Sequence, residues 1–128
     1  MDKSIVLDAS ALMALIRGEE GAGVVAEGLP WAVVSAVNQA EVQARLVAAG
    51  LEDELAWWHI AEVQCPSVPF DEEQARIAGS LVRLTRPYGL SLGDRACLAL
   101  ALERKATVYT TDQAWKSLPL DLEIEVIR

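Results

Sequence analysis

The chain has 128 residues, 52% of them hydrophobic, and a net charge of −8 at neutral pH. This length suits a single domain over residues 1–128, which buries roughly two-thirds of its unfolded surface and needs no disulfide staple. The composition excludes a disordered chain, and the acidic balance excludes a protein that attracts nucleic acid through its global field.

The opening MDKSIVLDAS has no basic stretch ahead of an apolar one, so no secretory leader is expected. The longest apolar run, Ala96 to Leu102, is too short to cross a bilayer, and no membrane partner is expected. Cys65 and Cys97 stand far apart without ligand-like spacing and are read as reduced thiols of a cytoplasmic protein.

In chain order, Ile5-Val6-Leu7 is a purely apolar strand, as in a sheet covered on both faces. Ser10 is the expected N-cap of a helix over Ala11 to Arg17. After Gly18 and Gly21, a short helix spans Ala22 to Glu27. Trp31 to Ser35 reads as a strand, and Asn38 to Ala49 as a helix stopped by Gly50. A further helix covers Glu52 to Glu62. Gln64 to Phe70 is a strand that Pro66 and Pro69 confine to an edge or a loop. Asp71 caps a helix running to about Thr85, and Pro87 and Gly89 end it. Ser91 starts a helix apolar almost all round, hence central. Thr107 to Thr111 is a strand, a short helix lies near Trp115, and Glu123 to Ile127 is the last strand. The alternation of strands and helices predicts an α/β fold, a three-layer α/β/α sandwich with a mostly parallel sheet. Sites in such folds form at the carboxyl ends of the strands.

Four acids stand at such places. Asp8 follows the first strand, Glu41 lies in the helix after the second, Asp94 opens the central helix, and Asp112 follows Thr107 to Thr111. Each has a structural explanation of its own. Asp8 and Asp112 can cap helices, Glu41 can pair with Arg45 one turn on, and Asp94 can complete a capping box with Ser91. Two features favour chemistry. At 100° per residue Glu41 shares an arc with Val37, Ala44 and Ala48, an apolar face that would point inward, where a charge needs a partner or a metal. Asp8 and Asp112 converge if their strands are neighbours. An all-carboxylate set without a histidine cluster suits a hard cation such as Mg²⁺ or Mn²⁺, which also answers the negative charge where a phosphate would sit.

The segments VLDASAL (6–12), VSAVNQAEV (34–42), LSLGDRACLALAL (90–102) and TTDQAW (110–115) together resemble the PIN domain, most closely the VapC-like toxins of bacterial toxin–antitoxin pairs. The resemblance covers the whole chain, with the motifs in the family order. It implies a parallel five-stranded sheet between helices and an endoribonuclease that uses Mg²⁺ or Mn²⁺. Asp8, Glu41, Asp94 and Asp112 match the family's metal-binding acids, and Ser10 and Thr110 its supporting polar positions. It further implies a small antitoxin partner and, for many members, a homodimer. Trp115 stands where the family often has Phe.

His59, the single histidine, excludes a paired-histidine ribonuclease and is read as structural or at an interface. Ser10 and Ser35 lack a His–Asp arrangement for serine hydrolysis. Among the basic residues, Arg95 is the candidate RNA contact because it adjoins Asp94. The aromatics form no stacking stripe and are assigned to core or dimer packing. A dehalogenase-like phosphatase would need a second Asp where Ser10 stands, and a receiver domain would need paired acids where Asp8 stands alone. The remaining alternatives are an inactive acidic binding module and a structure-selective DNA nuclease, for whose extra gripping helices the chain has no room.

Overall fold

The computed structural model describes residues 3–128. In it the apolar run Ile5–Leu7 is strand β1, buried at every position. Its burial follows from its place: the sheet has five strands in the order β3-β2-β1-β4-β5, all paired in parallel, with β1 in the middle. The other strands are β2 (Ala32–Ser35), β3 (Ser67–Val68), β4 (Thr107–Thr110) and β5 (Ile124–Val126). Pro66 and Pro69 leave β3 only these residues and hold it to the sheet edge, where a missing N–H is tolerated.

The helices are α1 (Ala9–Arg17), α2 (Ala22–Gly28), α3 (Ala36–Ala48), α4 (Asp53–Val63), α5 (Glu72–Ser80), α6 (Val82–Thr85) and α7 (Leu92–Arg104). Period-two alternation divides the sheet's side chains between two helical layers. Val6 and Val108 pack with Cys97, Leu98, Leu100 and Ala101 of α7. Ile5, Leu7 and Ala32 pack with Ala11 and Ala14 of α1 and Val25 of α2. Val34 joins Leu12, Met13, Val42, Leu46, Ala56 and Ile60, which cluster α1, α3 and α4. The expected sandwich with a parallel sheet is therefore the fold observed.

Three expectations need correction. Asp8, not Ser10, caps α1: its carboxylate accepts from the Ala11 amide at 2.8 Å, and Ser10 lies within the first turn. The single helix expected from Asp71 to Thr85 is broken at Leu81 into α5 and α6. Leu81 turns into the core beside α7, and the Thr85 hydroxyl bonds back to the Leu81 carbonyl at 2.8 Å. On α3 the buried stripe is Asn38, Val42 and Leu46, while Ala44 and Ala48 are exposed. Branched residues gain more from burial than alanines, so Val42 and Leu46 set the rotation of the helix. Glu41 then sits at the margin of the buried stripe rather than on an apolar inner face.

Candidate active site

The chain leaves β1 through α1 toward β2 and β3 on one side, then returns to place β4 on the other. The carboxyl ends of β1 and β4 thus form the topological switch point, where a crevice opens. Asp8 follows β1 and Thr110 ends β4, and both are buried, at 5% and 0% exposure.

Asp8 is held from three directions. Oδ1 accepts from the Ser10 hydroxyl at 2.7 Å and the Ala11 amide at 2.8 Å, and Oδ2 accepts from the Thr110 hydroxyl at 2.6 Å. Both hydroxyl protons are committed to Asp8, so the 3.4 Å approach of Ser10 Oγ to Thr110 Oγ1 is a contact, not a further hydrogen bond. The same two oxygens accept backbone amides from the β4 exit, Thr111 on Ser10 at 3.0 Å and Asp112 on Thr110 at 3.1 Å. Ser10 and Thr110 therefore stitch the two strand ends together around one carboxylate. Burial pushes the Asp8 carboxyl above its ordinary range; the bonds from Ser10, Thr110 and Ala11 oppose this, and Asp94 adds repulsion.

The other acids come from three more elements. Asp94 lies in the first turn of α7, in the expected capping box: Ser91 Oγ accepts from its amide at 3.1 Å and its Oδ2 accepts from the Ser91 amide at 3.0 Å. Asp112 is exposed and caps the turn Gln113–Ser117 by accepting from the Ala114 amide at 3.0 Å. Glu41 on α3 accepts from the Asn38 side-chain amide at 2.8 Å.

Asp8, Glu41, Asp94 and Asp112 line one cleft of about 350 Å³ with Ser10, Ser91, Arg45 and Trp115. The capping roles read from sequence are real for Asp8, Asp94 and Asp112, yet they coexist with a shared cleft. The Glu41–Arg45 pair does not form; the ion pairs among the described residues are Arg76–Glu73 and Arg128–Glu19, neither of which includes one of the four acids. Arg95 turns away from the cleft, and its guanidinium donates to the Ala78 carbonyl of α5 at 3.0 Å. His59 packs edge-on to Trp58, and Trp115 is buried in the cleft wall.

A cation fits this donor set. Asp8 is a buried carboxylate facing three other acids with no ion-pair partner among the described residues, an arrangement that a hard divalent ion would compensate. As the side chains stand, no three acids, histidines or cysteines among the described residues are close enough to share an ion. The exposed Asp112 carboxylate and the partly exposed Asp94 and Glu41 would have to close on it.

Sequence reasoning passed over Asn38, Gly93 and Arg45. Asn38 carried a signal, as a buried-face asparagine three residues before Glu41. Gly93 carried only its place beside Asp94, and Arg45 had been given to an ion pair.

A family model described as the PIN domain matches residues 5–119. No curated protein matches the chain. Among solved structures, VapBC2 from Rickettsia felis bound to a promoter DNA fragment is similar with a TM-score of 0.75 at 18% identity, covering 94% of this chain and 96% of that one. DNA-bound VapBC from Salmonella typhimurium is similar with a TM-score of 0.75 at 14% identity, covering 97% and 98%. VapBC-5 from Mycobacterium tuberculosis is similar with a TM-score of 0.68 at 23% identity, covering 99% of each chain.

Proposed function

The chain belongs to the PIN domain family, and from that premise we propose that it is a divalent-metal-dependent endoribonuclease, the toxin of a toxin–antitoxin pair. The observation that carries this reading is the buried Asp8 carboxylate at the switch point, lining one cleft with Glu41, Asp94 and Asp112 and paired with no cation among the described residues.

Asp8, Asp94 and Asp112, with Glu41 directly or through water, would hold Mg²⁺ or Mn²⁺. When bound, the ion supplies positive charge beside the phosphate oxygens and lowers the pKa of water. The remaining work falls to the chain. Ser10 and Thr110 fix both oxygens of Asp8, so its orientation is set before any ligand arrives. The Ser10 and Thr110 bonds to the Thr111 and Asp112 amides hold the β4 exit, and with it Asp112, against Asp8. Arg45, the single cationic side chain among the described residues that line the cleft, would meet a backbone phosphate. Hydrolysis by this route makes no use of the ribose 2′-hydroxyl, so preference for RNA would lie in the shape of the bound strand.

An antitoxin partner is supported by the likeness to VapBC-5, a member of a toxin–antitoxin family, over 99% of each chain. Association into a homodimer belongs to the same reading. No helix among the described residues is long and apolar enough to cross a membrane.

The test is to incubate the purified protein with a labelled structured RNA in Mg²⁺, Mn²⁺ or EDTA, beside Asp8→Asn. Cleavage that needs the metal and is lost in the variant is the expected result. No cleavage, with equal Mn²⁺ affinity in both proteins by calorimetry, would overturn the reading in favour of a binding module.

A further inference from the structure

Asn38 has no task in the reaction above, and its position is expensive. It is 1% exposed, in the first turn of α3. A buried amide is costly unless its hydrogen bonds are made. Its Nδ2 group makes two: to Glu41 Oε1 at 2.8 Å and, across to α7, to the Gly93 carbonyl at 3.0 Å. Both partners are acceptors, so only the NH₂ end can face them. Its Oδ1 is buried with no partner among the protein atoms. The side chain is thus kept for its donors, at the expense of its acceptor.

Gly93 completes the arrangement from the other side. A Cβ at this position would run into Oε1, Oε2 and Cδ of Glu41. The Glu41 carboxylate therefore lies directly against the α7 backbone, in the space a side chain would fill, one residue before Asp94. Glycine inside a helix costs about 1 kcal/mol relative to alanine, and its φ here is not in the left-handed region. A side chain here would push the flexible Glu41 carboxylate out of this place, while the backbone itself would accept one.

We propose that Asn38 and Gly93 are positioning residues that seat the Glu41 carboxylate beside Asp94 for a divalent cation, an inference that rests on reading the cleft as a metal centre. Asn38 fixes one carboxylate oxygen and ties α3 to the first turn of α7. Gly93 provides the seat. Oε2 of Glu41 accepts no hydrogen bond among the described residues and is left for the ion or its water.

The experiment titrates Mn²⁺ into metal-free protein by calorimetry, with thermal melting in parallel. The variants are Asn38→Leu, which keeps the branched skeleton and removes both donors, and Gly93→Ala, each also made in a Glu41→Ala background. Each single variant is expected to weaken Mn²⁺ binding roughly 10- to 100-fold, the usual effect of removing a group that orients a ligand. In the Glu41→Ala background neither change is expected to weaken binding further, because both act through that carboxylate. Wild-type Mn²⁺ affinity in the folded single variants would overturn the proposal, even with lowered melting temperatures. So would an undiminished loss in the Glu41→Ala background. Should Asn38→Leu fail to fold, Gly93→Ala decides alone, since alanine is the better helix former. Absence of Mn²⁺ binding by the wild-type protein would instead sink the metal-centre reading, and this inference with it.

Discussion

At the scale of single residues, the cost of the site is concentrated in Asp8. Its carboxyl titrates above the ordinary aspartate range in the folded protein because it is buried, with Asp94 adding to the effect. An unfolded aspartate titrates near its ordinary value of about 3.9. Between that value and the raised folded one, the folded protein holds the extra proton, so stability falls as pH rises through this window and stays lowered above it. Metal-free Asp8→Asn is therefore expected to exceed the native protein in stability at pH 7, with the difference shrinking toward pH 3.5. Urea unfolding at both pH values measures it. A variant less stable than the native protein at pH 7 would mean that the bonds from Ser10, Thr110 and Ala11 outweigh the burial. Asp8, Asp94 and Asp112 were found in sequence by their places after strands and at a helix start, and those places are what the fold uses. Gly93 escaped because it meets Glu41 from another helix, and Asn38 because its bond to the Gly93 carbonyl also crosses from α3 to α7; spacing along one helix shows only the Asn38–Glu41 half of the arrangement.

At the scale of elements, caps and punctuation were the most readable features. Ser91 with Asp94, Asp71 at the start of α5 and the prolines around β3 act in the structure as their local chemistry dictates. The left-handed Gly21 that opens α2 has a second role that only packing reveals. Its φ is 97°, and a Cβ there would stand 2.8 Å from the Ile127 carbonyl beyond β5. Gly21→Ala is expected to destabilise the protein by about 1–3 kcal/mol through backbone strain alone, with displacement of the C-terminal strand added to that. Chemical denaturation gives the value, and a loss well below 1 kcal/mol would show that the strand end yields freely. The rotation of α3 and the break between α5 and α6 were not legible in the same way. Both depend on which side chains find a cavity to fill, and Val42, Leu46 and Leu81 found one.

At the scale of the whole molecule, one topological choice organises both stability and chemistry. Placing β1 in the middle of the sheet buries Ile5, Val6 and Leu7 on two faces and sets Asp8 at the switch point. Amide exchange should follow the same order. The β1 amides are expected to exchange only through global unfolding, and those of the two-residue edge strand β3 much earlier. Hydrogen-exchange mass spectrometry or NMR tests this, and early exchange in β1 would contradict the central role assigned to it. The net charge of −8 acts at this scale as well. On the nuclease reading proposed above, it would leave phosphate binding to a held cation and to Arg45, so that the cleft, rather than the surface, would supply the attraction.

By itself the sequence determined the class of fold, the strands and most helices, and the identity of the four acids. These are recorded locally, in apolar runs, turn residues, caps and motif order. Tertiary structure alone decided which acids are buried, that Arg45 lines the cleft while Arg95 leaves it, and that Asn38 and Gly93 hold Glu41. Those outcomes turn on the rotation of helices about their axes and on contacts between segments as far apart as Asp8 and Thr110. Packing of the finished core sets them, and no local pattern encodes them.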